Sequence, residues 1–185
     1  MVYRIRPMGQ EDISQVAEID LSCFPTMRPP TNYQSELINP MAHYIVAIDD
    51  ALPVGAHNRS QIVGFAGIWL LAGEAHVINI AVREECRRCG LGELLLIGLI
   101  HEAQTLGAGI ITLEVRPSNV AAQQLYKKYG LAERGRRKAY YTDNRDDALI
   151  MTLDDPLSPT YKDSLAALKQ NYESRWHRCL SAQYS

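Results

Sequence analysis

The amino-acid sequence predicts a mixed α/β fold. Short β-branched runs alternate with helical periodicities, one leucine-rich stripe is long enough to cover a sheet, and glycines stand where the helices should begin or end. With 185 residues, 46% of them hydrophobic, the chain can fill one sizeable core. The expected organisation is one domain over residues 1–155 and an amphipathic helical extension over 156–185.

Residues 2–6 alternate apolar and polar side chains and read as a strand. A helix over 11–23 places Ile13, Val16, Ala17 and Ile19 on one stripe, and Pro25, Pro29 and Pro30 then break the chain. A short helix over 33–38 precedes strands at 43–48, 61–71 and 75–82, with a polar loop near 49–60. From 91 to 106 the period changes. Leu91, Leu94, Leu95, Leu99, Ala103 and Leu106 recur at helical spacing, and Gly107 follows as a cap, so a buried helix lies on the sheet. A strand over 109–115, a helix over 119–129 ended by Gly130, and strands near 131–137 and 147–153 complete the order. The apolar face of the helix over 119–129 carries Ala122, Leu125, Tyr126 and Tyr129. Beyond Pro156 and Pro159, Tyr161, Leu165, Leu168, Tyr172 and Trp176 mark an amphipathic helix that packs on its own domain or meets a partner.

Composition excludes several functions. A net charge of -2 gives no positive field for direct nucleic-acid binding. The first residues lack the apolar core of a secretory signal, and no segment approaches the roughly 20 apolar residues that cross a bilayer. A cytoplasmic protein without a membrane partner is expected. Cys23, Cys86, Cys89 and Cys179 are too few and too irregular for a disulfide framework. Cys86 and Cys89 form a C-x-x-C, but the second half of a zinc site is missing and no thioredoxin pattern surrounds them, so ordinary loop cysteines and no metal are expected.

Chemistry concentrates in two stretches. Residues 82–92 run from a strand end into the leucine-rich helix, with Gly90 and Gly92 at the helix entry. Glycines let several amides converge, and those amides with the positive end of the helix dipole attract an anion, helped by Arg87 and Arg88. Such glycines equally begin ordinary tight turns. A dinucleotide fingerprint would need glycine at Leu95, and a P-loop would need Gly-Lys before Ser or Thr, so neither motif is present. In the second stretch, Glu114 ends a β-branched strand, where burial of its carboxylate would suit a general base. Tyr126 lies twelve residues on, along the inward stripe of the next helix, where a phenol would donate a proton. Each residue also has an ordinary reading: a glutamate paired with Arg116, a core tyrosine, and Asn119 as a helix N-cap.

Taken together these residues resemble the GNAT superfamily of N-acetyltransferases, and within it the RimI-like branch of ribosomal-protein alanine N-acetyltransferases. The superfamily's acetyl-CoA signature is Arg or Gln, two residues, Gly, one residue, then Gly or Ala; Arg87, Gly90 and Gly92 satisfy it. Asn79-Ile80-Ala81-Val82 resembles the branch's cofactor-facing strand. Glu114-Val115-Arg116, Ser118-Asn119, Leu125-Tyr126 and Gly130-Leu131 resemble its catalytic stretch, and Tyr140-Tyr141 followed by residues 147–151 resembles its closing strands. The resemblance covers about residues 79–153. It departs in the substrate loop, where the branch has Pro-Trp-Ser but here Cys23-Phe24-Pro25 is followed by Thr26-Met27-Arg28-Pro29-Pro30, a loop without tryptophan.

The resemblance implies a GNAT fold: a central, mostly antiparallel mixed sheet with helices on both faces, splayed between the fourth and fifth strands. It implies acetyl-CoA as co-substrate and no metal. Backbone groups of Ile80, Ala81 and Val82 would meet the pantetheine arm, and Arg87, Arg88, Cys89, Gly90, Leu91, Gly92 and Glu93 the pyrophosphate, with Asn119 also touching the cofactor. Glu114 would be the base and Tyr126 the acid in direct attack on the thioester. The implied acceptor is the N-terminal α-amino group of a protein, a ribosomal one in this branch. Such an amine has a pKa of roughly 8 against about 10.4 for lysine, so a carboxylate needs to help only modestly. A lysine side chain, polyamine or other small amine is the alternative acceptor, and a non-catalytic acetyl-CoA-binding module the alternative class. A monomer or weak homodimer is expected.

Overall fold

A computed structural model describes residues 3–26, 29–50 and 61–177. Most of the polar loop expected at 49–60, together with Met27 and Cys179, lies outside the described residues. Seven strands, β1 (Tyr3–Pro7), β2 (Ala42–Asp49), β3 (Gln61–Leu71), β4 (Glu74–Val82), β5 (Ile110–Val115), β6 (Ala132–Arg137) and β7 (Ala148–Asp154), form one sheet in the order β1-β2-β3-β4-β5-β7-β6. All neighbours are antiparallel except β4 and β5, which are parallel. This is the mixed, mostly antiparallel sheet that the sequence and its resemblance predict.

Alternation along the strands divides the core between the two faces. Ile45 and Ala47 of β2 join one cluster with the helix α3 (Leu91–Thr105); Tyr44, Val46 and Ile48 join the other with α1 (Ile13–Cys23) and α2 (Tyr33–Glu36). On α1, Val16 and Ile19 are buried as expected, but Ala17 is exposed and Asp20 takes its place inside. Burial on α3 exceeds the expected stripe. Leu96, Ile97 and Ile100 are fully buried as well, because the sheet lies on one side and the C-terminal helix α5 (Pro159–Trp176) joins the same cluster. Each such side chain contributes about 1.5–3 kcal/mol of burial.

The helix α4 (Val120–Lys128) begins at Asn119, whose side chain accepts the Ala122 N–H (3.2 Å), and stops at Gly130, whose φ of 87° an L side chain rarely adopts. On α5 the expected stripe faces the core: Leu165 and Tyr172 are buried, and Tyr161, Leu168 and Trp176 pack against the same cluster. Among the described residues, no helix is long and apolar enough to cross a membrane.

Candidate active site

The site begins where the sheet opens. β4 and β5 pair from Glu74↔Ile110 to Val77↔Leu113, and both strands then run on, β4 to Val82 and β5 to Val115, without pairing to each other. Next to the last pair, β4 carries one extra residue: Gly67 opposes Asn79 whereas Ile68 opposes Val77, leaving Ile78 unmatched. An extra residue reverses the faces, so Ile80 and Val82 pack towards the α3 cluster while Ala81 joins the α1 cluster. The Arg83 N–H donates to the Val63 carbonyl of β3 (2.9 Å). Successive amides alternate sides, so those of Ile80 and Val82 face the gap.

At the mouth of the gap lies the amino end of α3. Its first helical bond runs from the Leu94 N–H to the Gly90 carbonyl (2.9 Å), and no side chain caps it. The amides of Leu91, Gly92 and Glu93 therefore have no intrahelical acceptor. Gly90 holds φ 80°, and a Cβ built on Gly92 would meet nothing within 4 Å, so the approach to these amides is open there. Glu93 is drawn aside, accepting from Lys128 Nζ and from the Tyr129 hydroxyl (2.8 Å). Arg88 is exposed with φ 60°, and Asn119 is engaged as the cap of α4. Arg87 turns to the strand end, with Nε donating to the Val82 carbonyl (3.3 Å) and Nη2 lying 3.6 Å from Cys23 Sγ.

Cys86 sits in a short 3-10 turn, Glu84–Cys86, that sequence periodicity does not reveal. Burial raises its pKa and keeps it a thiol. Cys89 donates to the Cys86 carbonyl (2.6 Å) and packs on the core. The described residues contain no group of three or more His, Cys, Asp or Glu side chains able to hold a metal.

Across the gap, Glu114 is 16% exposed and pairs with Arg137 Nε of β6 (3.1 Å). Leu113 and Val115 are buried on the opposite face, as the strand alternation predicts. Tyr140 and Tyr141, in the loop between β6 and β7 and not in a strand, meet edge-on with centroids 5.1 Å apart. Burial raises both phenols; the charge of Glu114 adds to this, while Arg137 opposes it at Tyr140 and Arg116 opposes it at Tyr141. Burial, with Tyr141 adding to it, pushes the Tyr126 phenol up to about 12. Such a group stays protonated at neutral pH, as a proton donor must.

Residues distant in sequence organise this corner. Arg116 grips both carboxylate oxygens of Asp143 (2.8 Å each), reaches Asn144 (3.1 Å) and lies over the Tyr141 ring at 3.7 Å. Asp143 also accepts from Thr26 (3.1 Å), joining the loop after α1 to the β6–β7 loop. Charge complementarity between Arg116 and residues 143–146 was the available signal; the fold alone decides which acidic partner it meets.

A parted β4–β5 pair, with free helix amides at its mouth, is the arrangement expected from the resemblance, and comparison with known proteins decides the family. Residues 13–131 match the model of the Acetyltransferase (GNAT) family. The chain belongs to the GNAT family of acetyltransferases. A Bacillus subtilis (strain 168) protein, named as a candidate ribosomal protein bS18-alanine N-acetyltransferase, is 40% identical over 148 residues, covering 80% of this chain and 92% of the relative. The ribosomal protein bS18-alanine N-acetyltransferase of Escherichia coli (strain K12) is 43% identical over 97 residues, 51% of this chain and 66% of that protein. Among solved structures, the ribosomal-protein-S18-alanine N-acetyltransferase from Escherichia coli superposes with a TM-score of 0.68 at 28% identity, covering 85% of this chain and 96% of the other. This GNAT enzyme is thus an N-acetyltransferase of the RimI-like kind.

Proposed function

We propose that this enzyme transfers the acetyl group of acetyl-CoA to the N-terminal α-amine of a protein, with ribosomal protein bS18 as the acceptor that its relatives' names suggest. The observation that carries the reading is the opening of the sheet beyond Val77 and Leu113, with the uncapped amino end of α3 at its mouth; Glu114 on β5 and Tyr126 on α4 are read as its acid–base pair. The residues present fit the co-substrate: the amino end of α3 offers amides to a diphosphate, Gly92 leaves room for it, and the buried Asn79 Oδ1 has no hydrogen-bond partner among the described residues.

When bound, acetyl-CoA supplies an activated acetyl carbonyl. The amides of Leu91, Gly92 and Glu93, with the backbone of residues 87–90, hold the pyrophosphate, and the gap-facing backbone of residues 80–82 aligns the pantetheine arm, Asn119 helping from α4. Glu114 takes the proton from the acceptor amine, directly or through water. The Val82 N–H stabilises the developing oxyanion, and the Tyr126 hydroxyl returns a proton to the departing sulfur. Arg137 balances the Glu114 charge while the amine is absent, and the acceptor's ammonium group takes over that pairing on entry. Residues 1–155 form the transferase domain in this reading, with 156–185 as an extension.

The test is acetyl-CoA turnover against the bS18 N-terminal peptide, free and with its terminus blocked, read by mass spectrometry. Acetylation of the free peptide alone supports the reading. Equal acetylation of the blocked peptide overturns it in favour of a side-chain amine.

A further inference from the structure

We propose that the C-terminal helix α5 is part of the cofactor site, with Trp176 as the residue that positions Gly90 and so the amino end of α3. The inference rests on the reading of the Leu91, Gly92 and Glu93 amides as a pyrophosphate cradle.

The two ends of the α5 stripe meet two glycines of positive φ. Near its start, Tyr161 donates to the Tyr129 carbonyl (2.9 Å), and its ring would lie 3.2 Å from a Cβ on Gly130. In its last turn, a Cβ on Gly90 would lie 2.5 Å from Cε2 of Trp176 and 2.7 Å from its Nε1. Between them Leu165 and Tyr172 are buried in the cluster that holds α3. Fifteen residues of helix rise about 22 Å, so α5 stretches from the exit of α4 to the entrance of α3.

Gly90 has no side chain to fix its conformation, and glycine moves readily among backbone regions. What restrains it is what packs against it, and the indole ring of Trp176 lies there. The Trp176 ring occupies the Cβ direction of Gly90, whereas that of Gly92 is open, so the ring supports the loop without filling the approach to the amides. A loop held in its binding conformation loses less freedom on binding, which strengthens affinity without adding a contact to the ligand. Trp176 is thus a positioning residue, and its effect belongs to cofactor affinity and not to the transfer step.

The experiment is calorimetric titration of the full chain with CoA. Trp176→Ala should weaken CoA binding about tenfold and Trp176→Phe should restore most of it, while kcat at saturating acetyl-CoA and KM for the acceptor stay within about twofold. A merely structural role would lower the melting temperature and the active fraction but leave the Kd of the folded protein unchanged, so a Kd within twofold of the parent overturns the proposal. Because the chain has two tryptophans, Trp69→Phe makes Trp176 the sole emitter and decides the matter even if Trp176→Ala does not fold. Its emission should then follow CoA with the calorimetric midpoint, and constant emission during measurable binding overturns the proposal. A parent protein that binds no CoA overturns the cradle itself, a result distinct from binding that ignores Trp176.

Discussion

Replacing Glu114 with glutamine keeps the size of the side chain and removes both its charge and its basicity. The loss of the Arg137 pair should cost little stability, since Arg137 is 54% exposed and returns to water; exposed pairs of this kind contribute about 0–1 kcal/mol. The chemical loss should be far larger. An acceptor α-amine of pKa about 8 is roughly one-tenth neutral at pH 7, and a positioned base typically contributes about 10²- to 10⁴-fold. Glu114→Gln should therefore lower kcat/KM by about 10²-fold or more at pH 7, with the melting temperature and CoA affinity close to the parent's. Part of the deficit should disappear above pH 8, where the acceptor loses its proton unaided. The assay is CoA release with the bS18 peptide from pH 6 to 9.5, beside calorimetry and thermal melting. A kcat/KM within threefold of the parent at pH 7 would refute Glu114 as the base.

Tyr126→Phe should lower kcat and spare CoA affinity. A phenol near 12 is a weaker acid than a thiol of pKa about 8.5, which places the loss at the lower end of the acid–base range, about 10²-fold, and steady-state kinetics with calorimetry would check both. Gly92→Ala meets no protein neighbour within 4 Å and adds helix propensity, so it should raise stability by up to about 1 kcal/mol in denaturant unfolding. Burial lowers the pKa of His101, with the charge of Lys169 adding to it, so the unfolded chain takes up that proton first as pH falls below about 6.5. Stability contributed by neutral His101 is present above that pH and lost below it; melting temperatures from pH 7.5 to 5.5 should fall less steeply in His101→Gln.

Much of the fold could be read from local pattern because local pattern reports burial. The leucine spacing of α3, the alternation around Glu114 and the tyrosine–leucine stripe of α5 each record which face is turned inward, and the structure buries those faces. Positions that obey no period were invisible. Ile78 shifts the face of everything after it on β4, yet an extra residue changes no local preference. Asp20 took a place that a helical stripe assigned to Ala17, because Tyr33 supplies a hydrogen bond within an otherwise apolar cluster. At the candidate site, the glycines and the glutamate–tyrosine spacing were legible, whereas the Arg137–Glu114 pair and the Arg116–Asp143–Thr26 chain join residues brought near only by the sheet.

The opening in the sheet links these observations through one physical cost. Strand amides and buried acceptors are normally paired, and each one left dry and unpaired costs about 1–3 kcal/mol. This fold nevertheless ends the β4–β5 ladder at Val77, turns the Ile80 and Val82 amides into the gap, leaves Asn79 Oδ1 buried without a partner among the described residues, and ends α3 with no side-chain cap. Scattered over the surface, such groups would simply be solvated. In the proposed reading, the amides at the sheet opening and at the amino end of α3 meet an elongated ligand carrying amides and a diphosphate, and such a ligand would stabilise the folded chain by mass action. The well-packed clusters on either side, including the α5 helix that reaches Gly90, are what allow the sheet to stay open there.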